Sequence, residues 1–338
     1  MKPAIRNRVY AAFWRYAAER QRIFHRRLRG EAAPWTTDSI LETYKFCNVY
    51  RATDRVSQYL IRQVIYSDEM TGLPAEDVFL RVILFRLFSK PSTWQYLEKA
   101  TGGLRRRTLD IQMIGDGLEA LRQVQPIYTS AFILCAHDAY GHDRKHRNHL
   151  ALVSEMFKPG RLGRSLAKAK SLREVYGALS RWPMLGPFMS YQLAVDLNYT
   201  AHLDFSEDDF TMPGPGALRG IRKVFSDLGD RRPADIIMSM VDLQEVEFDR
   251  FGLEWSNLFG RRLHAIDVQG LFCEVDKYSR VAFPDLTSNR VRIKHRFAPS
   301  TEPLAIYFPP KWGLDEPITR LHGPNSLRSG APSTGGPN

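Results

Sequence analysis

The segment that most limits how this chain can fold is VFLRVILFRLF, residues 78–88, which is apolar on nearly every face of a helix. Pro74 stands just before it, where the first turn of a helix would begin. A helix that is apolar all round must be buried. Arg86 inside this run is therefore conspicuous, because a buried guanidinium needs either an ionic partner or an anionic ligand. Both interpretations stay open at this point.

Helix signals recur along most of the sequence and predict a mainly α-helical protein. Residues 5–29 indicate a basic amphipathic helix, and the capping-box pattern Ser39-x-x-Glu42 predicts a long helix that ends near Tyr66. Nine further segments have helical patterns, namely 92–101, 112–124, 127–139, 148–157, 166–179, 187–198, 216–228, 233–248 and 264–281.

Strand signals are confined to the C-terminal part of the sequence. Apolar residues alternate over 291–297 and again over 304–308, which predicts one small C-terminal β-hairpin. From Gly323 the sequence is rich in Gly, Pro and Ser without periodicity, as is typical of disorder. We expect a basic N-terminal helix in residues 1–35, a helical domain in 36–310 and a disordered tail in 311–338.

The formal net charge of +11 points to acidic partners, nucleic acid first and an anionic membrane surface second. Residues 1–29 hold nine Lys or Arg and only one acid, Glu19. The three cysteines are far apart in sequence and form no C-x-x-C pair. This spacing excludes a cysteine-based zinc site, an iron–sulfur cluster and a disulfide framework, and it favours an intracellular location. No apolar run is long enough to span a membrane, and the sequence predicts no cofactor.

Two turns between residues 180 and 220 are candidates for binding phosphate. The first, Met184-Leu185-Gly186-Pro187, joins two predicted helices and places Gly186 at a helix start, as in helix-hairpin-helix modules that present backbone amides to DNA. An ordinary corner between helices is the structural alternative. The second turn contains Gly214 and Gly216 and is followed by Arg219, a combination that suits phosphate or pyrophosphate. A rigid structural turn is again the alternative.

Asp208 and Asp209 lie between the two turns and are the candidate catalytic acids. This layout resembles the helix-hairpin-helix DNA glycosylase superfamily, in which a catalytic Asp follows the hairpin by roughly twenty residues. The resemblance implies that one of these carboxylates stabilises a cationic sugar or deprotonates a nucleophile. Phe188 stands where the lyase members of that superfamily have a Lys, so Schiff-base chemistry is not expected.

Several other polar residues are candidates for contacting substrate or DNA. Asn48, Arg51 and Arg55 share one helix face, which suits either a phosphate or base edge or a solvated ion-paired surface. Lys145 lies among histidines in a basic segment that suits backbone phosphate better than a metal, so no metal site is predicted. The remaining candidates are the polar residues Arg86, Gln192, Gln269, Glu274 and Lys277.

Five ordered motifs resemble one family: FCNVYRATDRVSQYL, LFRLFSKPSTWQYL, GPFMSYQLAVDLNY, DDFTMPGPGALRG and DVQGLFCEVDKYSR. The family is that of the alpha-glutamyl/putrescinyl thymine pyrophosphorylases, which share the helical domain named for 5-hydroxymethyl-deoxyuridine DNA kinase. The resemblance covers about residues 36–300. It implies a glycosylase-like helical fold and a role in thymine hypermodification of DNA.

Within that resemblance, a kinase first phosphorylates the 5-hydroxymethyl group of uracil in DNA, and the pyrophosphorylase-like enzyme then replaces the activated oxygen by an amine or amino acid. The sequence contains no G-x-x-x-x-G-K-[ST] loop, so a separate P-loop kinase is an expected partner, beside base-modified duplex DNA. A DNA base-modifying transferase is the leading hypothesis. A monofunctional DNA glycosylase and a non-catalytic DNA-binding protein remain as alternatives.

Overall fold

The computed structural model describes residues 2–67, 72–129, 138–286, 288–299 and 304–314. Within these residues the chain is mainly helical, as the sequence predicts, with thirteen α-helices and one two-stranded antiparallel sheet. The helices are α1 (Asn7–Leu28), α2 (Ser39–Thr43), α3 (Arg55–Tyr59), α4 (Ala75–Phe88), α5 (Pro91–Thr101), α6 (Ile111–Val124), α7 (Lys145–Met156), α8 (Leu162–Lys168), α9 (Leu172–Ser180), α10 (Pro187–Asn198), α11 (Pro215–Val224), α12 (Pro233–Arg250) and α13 (Ala265–Ala282).

Two helices, α4 and α10, form the centre of the core. Every residue of α4 from Val78 to Phe88 is buried, which confirms the prediction from its apolar run. Helix α10 is buried from Met189 to Asn198 and packs against α4 and α9. Burying a large apolar side chain contributes about 1.5–3 kcal/mol, so this pair is a major source of stability.

The basic N-terminal helix α1 packs into the same core. Its apolar stripe, which includes Phe13 and Trp14, is fully buried, while its arginines lie mainly toward the other side. The ring of Phe13 lies 4.7 Å from that of Phe272 in α13, and Trp14 lies 5.0 Å from Phe248 in α12. Helix α1 is therefore held against the C-terminal helices of the described chain.

The predicted long helix from Ser39 to Tyr66 is wrong, because the chain is extended after α2. The α2 cap is Asp38, whose Oδ1 accepts the N–H groups of the next helical turn. After Thr43 the backbone pairs with a later segment: Lys45 N–H donates to His295 and Phe297 N–H donates to Thr43. A short 3₁₀ turn precedes α3, which continues as a π-helix over Leu60–Ile65.

The predicted C-terminal β-hairpin is also wrong within the described residues. The extended segment around His295 forms its backbone bonds with the residues that follow α2, so its strand-like alternation reflects a different partner. The two-stranded sheet instead joins β1 (Ala4–Ile5) to β2 (Phe225–Asp227). Strand β2 occupies the end of the segment for which the sequence predicts helix up to residue 228.

Parts of two other predictions fall outside the described residues. The predicted helix over 127–139 covers residues 130–137, which are not described, and residues 127–129 are not helical. In the predicted tail, Trp312 stacks on Phe308 at 5.8 Å, whereas residues 315–338 lie outside the described chain. Among the described residues, none of the helices combines the length and apolar character that a bilayer crossing requires.

Candidate functional site

Arg51 lies at the centre of a polar cluster between α10 and α13. Its Nε donates to Gln192 Oε1 at 3.1 Å, its Nη1 lies 2.8 Å from Asp196, and its backbone N–H donates to Asp267 at 2.8 Å. Gln192 in turn lies 3.5 Å from Gln269, at the outer limit of a hydrogen bond. Three of the residues selected from the sequence, Arg51, Gln192 and Gln269, are therefore neighbours.

Asp196 is a fully buried carboxylate that serves two arginines. Arg86 donates to it through Nε at 2.5 Å and through Nη2 at 2.9 Å, while Arg51 approaches the same group. Burial opposes ionisation, but the charges of Arg51 and Arg86 hold the pKa of Asp196 below its usual value. The ionic partner that buried Arg86 requires is thus the side chain of Asp196. Arg86 and Arg51 share this carboxylate.

Glu274 and Lys277 lie one turn apart on α13 and contact the segment that leads to Arg51. The Glu274 carboxylate accepts the N–H of Cys47 at 2.9 Å and lies 2.6 Å from Lys277 Nζ. Burial opposes protonation of Lys277, but the Glu274 charge outweighs it and raises the pKa of the ammonium group. This ion pair therefore anchors the extended segment after α2.

Asn48 and Asp54 shape the turn that follows Cys47. Asn48 N–H donates to Asp54 Oδ1 at 2.8 Å, and the Asn48 side-chain oxygen accepts from Arg20 at 2.6 Å. Burial, opposed by that backbone hydrogen bond and assisted by the Glu274 charge, raises the pKa of Asp54 to about 6. The Asp54 carboxyl is partly exposed, so a small ligand can reach it.

Two cysteine thiols lie in this region. Cys47 and Cys273 are both exposed to solvent. Nevertheless, the charges of Asp54 and Glu274 together with burial raise the pKa of Cys47, and burial raises the pKa of Cys273 to about 12. We refer to the polar region that holds Arg51, Asp54 and these two thiols as the cleft. Both raised pKa values indicate neutral thiols rather than thiolate nucleophiles.

The second glycine turn packs against Cys273 and Phe188, beside this region. A Cβ on Gly216 would collide with Cys273 Sγ, and a Cβ on Gly214 would lie 2.5 Å from the Phe188 ring. These glycines therefore allow a close approach of the turn to α13 and α10. Gly186, the N-cap of α10, has open space around its Cα, and the connection before it contains Met184 at a φ of 68°.

Arg219 belongs to a neighbouring basic pocket of about 610 Å³ at the start of α11. It lies 3.1 Å from Asp276, a fully buried carboxylate that Lys223 and Arg280 also contact. Arg6 and Arg222 add two further cations to the pocket wall, where Asp285 is the acidic member. The pocket has a cationic excess suited to phosphate.

The acidic cluster before this turn separates into three different contacts. Glu207 pairs with Arg261 at 2.5 Å, and exposed Asp209 accepts the N–H of Arg173 at the start of α9. Asp208 accepts the N–H of Ala265 at the start of α13 and lies 2.9 Å from His264 Nδ1.

These contacts lower the pKa of Asp208, whereas the pKa of Asp54 is raised. Burial opposes ionisation of Asp208, but the hydrogen bonds from His264 and from the helix start hold its pKa below the usual value. A carboxylate with a lowered pKa is a weak base. Both predicted catalytic acids thus act as helix caps in this structure.

Two of the residues selected from the sequence lie apart from the cluster. Arg55 is exposed at the first residue of α3, so it does not share the inward direction of Arg51. Lys145 is the first residue of α7, and its ammonium lies 4.3 Å from the centre of the Tyr128 ring. Among the described residues, no group of three His, Cys, Asp or Glu side chains could hold a metal ion.

Sequence reasoning missed the importance of Asp54, Asp196 and the two cleft cysteines. From the sequence, Asp54 can be interpreted only as a possible partner of Arg51. Asp196 lies in an apolar helix, and its position was not selected. A buried polar residue within an otherwise apolar helix is the same signal that marks Arg86, and applied to α10 it would have selected Asp196 and Gln192 together.

The fold and this site define a helical protein with a buried polar cluster around Arg51 and a cationic pocket at the start of α11. Residues 7–288 match the family described as the 5-hmdU DNA kinase, helical domain. The chain belongs to this family.

One curated relative shows how much of a longer protein this chain represents. It is similar to a protein named 5-hmdU DNA kinase from Bacillus phage SP10, with 30% identity over 278 residues. The similarity covers 77% of this chain and 43% of the phage protein, so the chain spans less than half of that relative's length. No solved structure matches the chain.

Proposed function

We propose that this protein is a DNA base-modifying transferase that replaces an activated, phosphorylated 5-hydroxymethyl group of uracil in DNA by an amine or an amino acid. The proposal extends family membership to the alpha-glutamyl/putrescinyl thymine pyrophosphorylases, whose motifs the sequence resembles. The observation that carries it is the contact of Arg51 with Gln192, which lies 3.5 Å from Gln269, together with the Glu274–Lys277 pair that holds the N–H of Cys47 in the segment leading to Arg51. Each of these five residues is a candidate on sequence grounds alone.

The cleft has the hydrogen-bonding groups that a pyrimidine base requires. The amide groups of Gln192 and Gln269 offer both donors and acceptors, and the Arg51 guanidinium offers donors only. A base within a duplex is inaccessible, so we propose that it flips into the cleft, which costs a few kcal/mol. We further propose that α9, the connection over residues 181–186 and α10 act as a helix-hairpin-helix, with Gly186 facing the DNA backbone.

The phosphate of the activated base would lie toward the start of α11. The turn with Gly214 and Gly216 opens that helix, whose N-terminal dipole favours negative charge. Arg219 and the other cations of the basic pocket would stabilise charge that grows on the departing group. The buried Asp276 keeps Arg219 in position through its 3.1 Å contact.

The proposed reaction is a substitution at the 5-methylene carbon. The amine lone pair forms the new C–N bond, the C–O bond breaks, and its electron pair leaves with the phosphate or pyrophosphate oxygen. The ammonium nitrogen then loses one proton to a base. We assign that role to Asp54, because its pKa of about 6 suits proton transfer near neutral pH. Asp208 and Asp209 would position the helices that border the cleft.

The layout of α9 and α10 also favours a second candidate, a monofunctional DNA glycosylase. In this reading the same helix pair binds the backbone, and a carboxylate stabilises the positive charge on the sugar. Asp208 stays ionised because of its lowered pKa, which suits that electrostatic role better than it suits base catalysis. The two candidates differ in product: a modified nucleoside for the transferase and an abasic site for the glycosylase.

One assay separates these functions from simple DNA binding. The protein is incubated with duplex DNA carrying phosphorylated or pyrophosphorylated 5-hydroxymethyluracil and a pool of amines and amino acids, and the DNA is digested for nucleoside mass spectrometry. A new aminomethyl nucleoside, lost in Asp54→Asn and retained in the exposed control Asp242→Asn, is the expected result. An abasic site would favour the glycosylase. Salt-sensitive DNA binding without either product would contradict both enzymatic proposals.

The supply of the activated base requires a further protein activity. The sequence contains no P-loop phosphate-binding motif, and we propose that a P-loop hydroxymethyluracil DNA kinase acts first. Product should then form from unphosphorylated 5-hydroxymethyluracil DNA only when such a kinase and a nucleoside triphosphate are added. Product formation without the kinase would contradict this order of reactions.

A further inference from the structure

A second pocket lies against α1 and shares no lining residue with the basic pocket at the start of α11. It has a volume of about 300 Å³ and is enclosed by α1, the segment before α2 and the extended segment after α2. Its walls are largely apolar and include the rings of Trp35, Phe46 and Phe297. The sequence alone marks no residue of this pocket as a candidate site, and the proposed base modification does not use it.

Two arginines of α1 give this otherwise apolar pocket a positive charge. Arg20 and Arg27 both line it, and Glu42 is its acidic member. Arg20 is 7% exposed, and its Nη1 is buried without a hydrogen-bond partner. A buried donor without a hydrogen-bond partner destabilises the folded protein, and more so when the group is charged.

Arg27 reinforces the charge of Arg20 instead of balancing it. Within the described chain it forms no ion pair, and its guanidinium lies 5.1 Å from the centre of the Trp35 ring. Burial and the neighbouring Arg20 charge lower its pKa, as expected for two cations that share a poorly solvated space. By contrast, Arg26 on the same helix and Arg29 just after its end both pair with Glu31.

We infer that this pocket binds a small organic anion, a carboxylate or a phosphate monoester attached to a planar or apolar body. The anionic group would accept hydrogen bonds from Arg20 and Arg27, and the apolar body would pack among the aromatic rings. The volume suits a ligand of metabolite size and excludes a duplex. The cationic excess disfavours a ligand that carries only positive charge.

Arg20 also connects this pocket to the cleft. Its Nε donates to the carbonyl oxygen of Cys47 at 3.0 Å, and its Nη2 donates to Asn48 Oδ1 at 2.6 Å. A ligand that orders Arg20 therefore orders the turn that carries the Cys47 thiol. Occupancy of the pocket should slow modification of Cys47 by a thiol reagent, even though the ligand does not contact the sulfur.

The test uses the full chain and three matched probes, benzoate, phenyl phosphate and benzylamine, with binding measured by calorimetry. Benzoate or phenyl phosphate should bind while benzylamine does not, and the preferred anion identifies carboxylate or phosphate as the chemistry. Arg27→Gln should weaken anion binding about tenfold or more, since hydrogen bonds to charged groups are among the strong ones. Arg29→Gln is the control and should bind normally, because Arg29 lies just after the end of α1 and pairs with Glu31.

A variant of opposite sign separates a binding effect from loss of folding. Glu42 is exposed, and Glu42→Gln removes the acidic charge of the pocket, so it should strengthen anion binding. Equal affinity for benzylamine and benzoate, no binding of either anion, or unchanged affinity in both Arg27→Gln and Glu42→Gln would overturn the inference. The assay of Cys47 modification tests the connection to the cleft. It is made with Cys273→Ala, which removes the other thiol that is exposed among the described residues.

Discussion

Replacing Asp54 by asparagine should increase the free energy of unfolding at neutral pH, whereas most substitutions of buried residues decrease it. Burial raises the pKa of this carboxyl from 3.8 to about 6 in the folded protein. An acid whose pKa is higher in the folded state destabilises that state progressively as the pH rises from the unfolded value through the folded one. An asparagine at this position carries no charge, and its side-chain oxygen can still accept the N–H of Asn48.

The expected magnitude follows from the two pKa values. At pH 8 the group is ionised in both states, and the difference between 3.8 and about 6 corresponds to about 3 kcal/mol of destabilisation. At pH 4.5 the folded carboxyl is still mostly protonated, and the same relation gives only about 1 kcal/mol. The stability gained by Asp54→Asn should therefore increase by about 2 kcal/mol between these pH values.

Urea unfolding at pH 4.5 and pH 8, followed by circular dichroism, measures the required free energies of unfolding. Asp242→Asn is the matched control, since Asp242 is exposed on α12 and its replacement should give a small, nearly pH-independent change. The reasoning fails if Asp54→Asn destabilises the protein at pH 8, or if its effect is the same at both pH values. Greater stability together with lost transferase activity would indicate that the ionisable group is kept for chemistry.

Three further predictions concern the core, the glycine turn and the basic pocket. Asp196→Asn should lower the free energy of unfolding by about 3–5 kcal/mol in urea titrations, because it leaves two arginines without their shared counter-charge, whereas the exposed Asp116→Asn should cost less than about 1 kcal/mol. Gly216→Ala should lower the melting temperature through its collision with Cys273, at a cost of about 1–3 kcal/mol, and Cys273→Ala should restore much of that loss. Arg222→Gln should weaken DNA binding similarly across sequences and reduce the slope of log K against log salt by about one, and an unchanged slope would contradict a phosphate contact there.

The sequence predicts local features well where a single helix determines them. The apolar run of α4 requires burial, and the spacing of apolar residues in α1 and α10 identifies helices close to their observed bounds. The requirement that Arg86 find a partner is also clear from the sequence. The identity of that partner is not, because Asp196 lies in a distant helix and only the packing of α10 on α4 brings it near.

Predictions from local patterns fail where a distant segment forms hydrogen bonds with the backbone and so ends or replaces the expected element. Ser39 and Glu42 match a capping box, yet Asp38 caps the helix and pairing with the segment around His295 ends it early. In the same way, Asp208 and Asp209 are adjacent in sequence but cap different helices. The candidate site can be selected residue by residue, whereas its cleft depends on contacts between segments far apart in sequence.

The docking of α1 on α13 has a consequence for synthesis of the protein in the cell. The ribosome makes the stripe that contains Phe13 and Trp14 long before Phe272 emerges. At typical translation rates this delay lasts roughly 10–50 s. During that time an aromatic surface flanked by arginines has no native partner, which makes the nascent chain a substrate for chaperones and prone to aggregate when they are scarce.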